Sequence, residues 1–87
     1  MNTYLLNISS PDGKVFSGEV TFLAVRGAAG DLAVMAGHVP FITSVKPGTR
    51  CAIHLADGTV MEGVTEGGLL TVAQKEVTYL TAGISWK

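Results

Sequence analysis

This 87-residue sequence predicts an all-β domain of about nine or ten short strands in two packed sheets, with no significant helix. Three observations carry that reading. Short runs of β-prone residues alternate with turn signals at close spacing, the pattern of a sandwich or barrel. Eleven glycines and three prolines punctuate those runs. No stretch repeats its apolar residues at helical spacing behind a capping residue.

The elements follow in order. Tyr4, Leu6 and Ile8 alternate with Leu5, Asn7 and Ser9 in a first strand, which ends at Ser10-Pro11-Asp12-Gly13. Pro11 and Gly13 suit turn positions that need a fixed and a permissive φ. A second strand spans 19–26, with Val20, Phe22 and Ala24 on one face and Leu23 and Val25 on the other, so both faces are covered. Strands at 32–35 and 41–45 flank Ala36-Gly37-His38. The strand at 49–55 sets Thr49, Cys51, Ile53 and Leu55 against Arg50, Ala52 and His54. Asp57-Gly58 is the strongest hairpin signal and leads into 59–64. Gly67-Gly68 opens 69–73, and Gln74-Lys75 turns into 76–81. One domain over 1–87, without repeats or linkers, accounts for the whole chain.

Composition narrows function. Hydrophobic residues make up 47% and charged residues 15%, against about 25% charged in ordinary domains. A domain this small is surface-rich and should need more charge, so the shortage implies a surface covered by a partner. A net charge of −1 with scattered Lys and Arg gives no basic face for nucleic acid. The start MNTYLLNISS lacks the basic and apolar regions of a signal peptide. No apolar run approaches the roughly 18 residues of a membrane span.

No catalytic set assembles. His38 lies in a loop and His54 on an outward strand face, and nothing brings them to one substrate atom. Cys51 and His54, three apart on a strand, point to opposite faces, so no metal site forms. Cys51 reads as a core thiol. No serine lies in a nucleophile elbow, and no glycine-rich stretch leads into a Lys-Ser/Thr and helix that would hold phosphate. No catalytic residue, cofactor site or metal site is expected.

The stretch GDLAVMAGHVPFITSVKPG at 30–48 is the most distinctive, and it is apolar and shaped rather than reactive. With Leu6-Asn7-Ile8-Ser9, Val15-Phe16-Ser17-Gly18-Glu19-Val20 and Glu66-Gly67-Gly68-Leu69-Leu70-Thr71-Val72, it carries a resemblance over residues 3–84. The combination of Gly37-His38-Val39-Pro40-Phe41 and Val45-Lys46-Pro47-Gly48 resembles the N-terminal β-sandwich of the epsilon subunit of bacterial F-type ATP synthases.

The resemblance implies a flattened two-sheet sandwich of about ten strands in the rotor's central stalk, doing no chemistry. It implies the gamma subunit and the c-ring as partners. The domain would sit on the cytoplasmic face of the bacterial inner membrane, peripheral through the complex and not inserted. Gly30, Asp31, Gly37, His38 and Pro40 would face the c-ring. Ser10, Phe41, Ile42 and Thr43 would face gamma, with Phe41 the aromatic anchor. Ala33 and Ala36 stand where the family usually has Gly and Pro, which loosens the loop. The family's C-terminal helical pair lies beyond Ser85-Trp86-Lys87, so its inhibitory and nucleotide-binding roles are not implied here. Trp86 caps the sandwich edge or touches a partner. The alternative is a free-standing β-sandwich binding module unrelated to ATP synthase, expected to be a monomer with a concave apolar pocket.

Overall fold

The computed structural model describes residues 2–87 and holds nine strands. These are β1 (Tyr4–Ser10), β2 (Gly13–Gly27), β3 (Gly30–Met35), β4 (Phe41–Val45), β5 (Thr49–Leu55), β6 (Val60–Thr65), β7 (Gly68–Val72), β8 (Glu76–Thr81) and β9 (Ile84–Trp86). No helix occurs among the described residues.

Strand β2 is the spine. The sequence places its start at Glu19; in the structure it begins at Gly13 and runs for 15 residues. Its first half pairs antiparallel with β1, from Ser10↔Gly13 to Tyr4↔Val20. Its second half pairs with β3 on one side and β5 on the other. One layer is therefore β2-β1-β8-β7-β4, and the other is β3-β2-β5-β6-β9. Long enough to cross from one layer to the other, β2 is read by sequence as a shorter strand because only its second half is densely apolar.

The sidedness predicted for β2 is corrected by an irregularity. Its register against β5 shifts between Val20 and Phe22, and an extra residue in a strand reverses the alternation beyond it. Val20, Leu23 and Val25 thus all enter the core, while Phe22 and Ala24 turn outward. Elsewhere the alternation holds. Tyr4, Leu6 and Ile8 are buried, as are Leu70 with Val72 and Val77 with Tyr79. Burying one such side chain stabilises the fold by roughly 1.5–3 kcal/mol.

Two long-range pairings close the structure. The first strand lies parallel to β8, with Leu5↔Glu76 through Ser9↔Leu80. The short β9 pairs with β6, setting Trp86 opposite Gly63 and against the edge of the core. A side chain at position 63 would lie 2.5 Å from the Ser85 carbonyl oxygen, so only glycine admits β9 there.

Between the layers Thr65, Tyr79 and Thr81 share a buried hydroxyl network. Thr81 donates to the Gly67 carbonyl at 2.7 Å, and the Gly67 amide donates to Thr65 Oγ1 at 3.2 Å. This network secures the Gly67-Gly68 crossing from β6 to β7. Among the described residues every buried side-chain polar atom has a partner, which avoids the cost of about 1–3 kcal/mol per orphaned group.

Candidate interaction surfaces

The residues expected at the c-ring do not form one compact cluster. Gly30 and Asp31 begin β3, whereas Gly37, His38 and Pro40 follow its end. At about 3.3 Å per residue the strand holds the two groups roughly 13 Å or more apart.

At the first end, Gly30 takes φ +124° and closes the β2–β3 turn against Gly27. Asp31 stands 76% exposed and pairs with Arg26, Nε to Oδ1 at 2.9 Å. An exposed pair of this kind contributes only about 0–1 kcal/mol to stability, so its carboxylate is available to another surface.

At the other end, Gly37 adopts φ +88°, a conformation costly for other residues. That turn aims His38 back at the body of the protein. The ring Nδ1 lies 2.6 Å from the Met35 carbonyl oxygen and Nε2 lies 2.6 Å from that of Ala73. The imidazole also meets the Tyr4 ring edge-on, with centroids 5.3 Å apart. Both nitrogens of His38 thus face carbonyl oxygens of the chain itself.

The residues expected at gamma lie on the β4-β7-β8-β1 layer or at its border. Ile42 points outward and is 66% exposed. Phe41 and Thr43 share the inward parity of Val45, and Phe41 is exposed only in part at the strand end. Ser10 is engaged by its own turn, donating to the Gly13 carbonyl and accepting from the Asp12 amide.

Two leucines complete this surface that sequence reasoning did not single out. Leu69 and Leu80 are opposite one another on β7 and β8, both solvent-exposed. Across the strands run the rows Ser44–Leu69–Leu80–Ser9 and Ile42–Thr71–Thr78–Asn7. None of these positions carries a charge. The signal was available: buried Leu70, Val72, Val77 and Tyr79 fix the parity that sends Leu69 and Leu80 outward.

The opposite outer face carries an open groove of about 780 Å³. Its floor is a row of small residues, Ala33–Ala24–Ala52, aligned by strand register. Phe22 and His54, with ring centroids 4.7 Å apart, bound one side. His54 is engaged in that contact and shares no partner with His38. Cys51 lies in the core, where burial pushes its thiol up to about 11. No group of three or more His, Cys, Asp or Glu able to hold a metal occurs among the described residues.

An all-β sandwich with two partly apolar outer faces, and with no metal-binding cluster among the described residues, defines a small domain organised around surfaces. The chain belongs to the family of ATP synthase delta/epsilon chain β-sandwich domains, whose model matches residues 3–87. It is 41% identical over 81 residues to an ATP synthase epsilon chain of Polaromonas naphthalenivorans and 38% identical over 81 residues to that of Delftia acidovorans. Each match covers 93% of this chain and 58% of the relative, so the chain spans little more than half the length of these relatives. Among solved structures, a chain of the Euglena gracilis mitochondrial ATP synthase superposes with a TM-score of 0.88 at 21% identity, covering 97% of this chain and 53% of that one. A chain of the Tetrahymena thermophila mitochondrial ATP synthase central stalk and c-ring gives 0.76 at 12% identity, with 97% and 66% covered. At such identities these two establish the fold. Family membership removes the reading of a module unrelated to ATP synthase.

Proposed function

We propose that this chain is a non-catalytic central-stalk domain of an F-type ATP synthase rotor, linking gamma to the c-ring and so helping to couple ion flow to ATP synthesis. It would act on the cytoplasmic face of the bacterial inner membrane, held there through the complex. The observation that carries the proposal is the uncharged outer surface of Ile42, Leu69 and Leu80 on a domain of this family. An exposed apolar surface of this kind is what a permanent partner covers.

On this reading gamma covers the β4-β7-β8 face, and Ile42 replaces Phe41 as the better anchor because it points outward. Asp31 makes the polar contact with the c-ring, since its carboxylate is exposed. His38, whose ring nitrogens are used internally, shapes the other turn with Gly37 and Pro40. Co-purification with a gamma subunit tests the assignment. Ile42→Asp should abolish it and Phe41→Asp should weaken it; retention of gamma by Ile42→Asp would remove that face from the interface.

A further inference from the structure

The His38 ring faces two hydrogen-bond acceptors and no donor. The carbonyl oxygens of Met35 and Ala73 lie 2.6 Å from Nδ1 and Nε2 respectively. Carbonyl oxygens only accept. A neutral imidazole has one N–H, so it can satisfy one of them while turning a lone pair toward the other; the imidazolium has two and satisfies both. Separations this short also suit charge-assisted bonds. We propose that His38 is a proton-operated latch: doubly protonated, it ties the β3–β4 turn to the β7–β8 turn, and on losing a proton it releases one of them.

The surroundings leave this choice to the ring itself. From β1 comes Tyr4, whose hydroxyl donates to the Val34 carbonyl at 2.7 Å. The β3–β4 connection offers Ala36, Gly37, Val39 and Pro40, none ionisable. The β7–β8 connection carries Lys75 and leads into Glu76, whose carboxylate accepts from Asn7 Nδ2 at 2.8 Å. Among the described residues no ion pair includes His38. Among the described residues the ring's hydrogen-bond partners are therefore the two carbonyl oxygens, with no carboxylate beside them.

Each turn also has a backbone bond of its own, which an open latch leaves in place but less protected. The His38 amide donates to the Met35 carbonyl at 3.2 Å, and the Ala73 amide donates to that of Glu76 at 2.9 Å. Release is thus a local loosening that leaves the sandwich folded. The sign follows from the bonded form being the protonated one: the latch is closed at the acid end and opens as pH rises through the titration of His38. It needs no partner, so it stands whether or not this end of the domain meets the c-ring.

Long-range ¹H–¹⁵N NMR of the labelled chain between pH 5 and pH 9 tests it. Both His38 ring nitrogens should carry protons at the acid end and one at the alkaline end. Exchange of the Ala73 and His38 amides, corrected for base catalysis, should quicken at least threefold through the same titration. His38→Phe keeps a ring against Tyr4 but has no N–H, and should exchange at the open rate at every pH. A single ring N–H at pH 5, or amide protection indifferent to the titration, would overturn the latch. Should the variant fail to fold, the parent's titration decides alone.

Discussion

The phenolic hydroxyl of Tyr4 donates to the carbonyl oxygen of Val34 at 2.7 Å, joining the first strand of one layer to the edge strand of the other. Both residues are buried, so water cannot replace the bond. Tyr4→Phe leaves the carbonyl unpaired and should cost about 1–2 kcal/mol, read from the urea midpoint at unchanged slope.

Alkaline pH should destabilise the fold in a definite order. Burial pushes the Cys51 thiol from 9.0 up to about 11 and raises the Tyr4 and Tyr79 phenols as well. Each raised group keeps its proton in the folded state after the unfolded chain has lost it. The contribution is therefore intact below the unfolded value and is lost as pH rises toward the folded one. For Cys51 that window runs from pH 9.0 to about 11, with a slope of about 1.4 kcal/mol per pH unit. Denaturation titrations should show this step in the parent and not in Cys51→Ala.

Two glycines with positive φ should respond differently to alanine. At Gly58, in the β5–β6 turn at φ +93°, an added Cβ meets open space, so the cost is that of the backbone alone, about 1–2 kcal/mol. At Gly68 the Cβ would lie 2.8 Å from Thr81 Cα and closer still to the Leu80 carbonyl. That contact is with backbone, which cannot move without parting β7 from β8. Gly68→Ala should cost more than about 3 kcal/mol or leave the chain insoluble, as thermal melts and soluble yield will show.

Asp31 allows stability and partner contact to be separated. Its pairing with Arg26 is exposed, so Asp31→Ala should change stability by no more than about 0.5 kcal/mol. On the proposed function, Asp31→Lys should nevertheless weaken attachment to c-ring-containing membranes at least severalfold, measured by sedimentation of the assembled complex. Equal retention of parent and variant would remove Asp31 from that contact.

Much of the architecture was legible because strand parity is local. The Tyr4, Leu6 and Ile8 alternation, the Asp57-Gly58 hairpin and the inward Cys51 and Ile53 all hold in the structure. Asp57 does what its position implies: its carboxylate accepts from the Thr59 amide at 2.8 Å, and that bond holds it below the usual range. The surfaces were less legible. Leu69 and Leu80 are unremarkable leucines in sequence and form a patch only once β7 lies beside β8. Asp31 and His38 were expected to meet one partner together, although the strand between them, itself legible at 32–35, sets them at opposite ends.

The sequence by itself determined the all-β class, most inward-facing residues and the family, through the distinctive stretch at 30–48. These depend on covalent geometry and turn chemistry, which operate over a few residues. Tertiary structure alone decided that β2 serves both layers, that an irregularity reverses its faces, and that β1 runs parallel to β8. It also gave His38 its second acceptor, Ala73, thirty-five residues away. Such pairings are set by how the layers pack, and no local pattern encodes which distant carbonyl a side chain will meet.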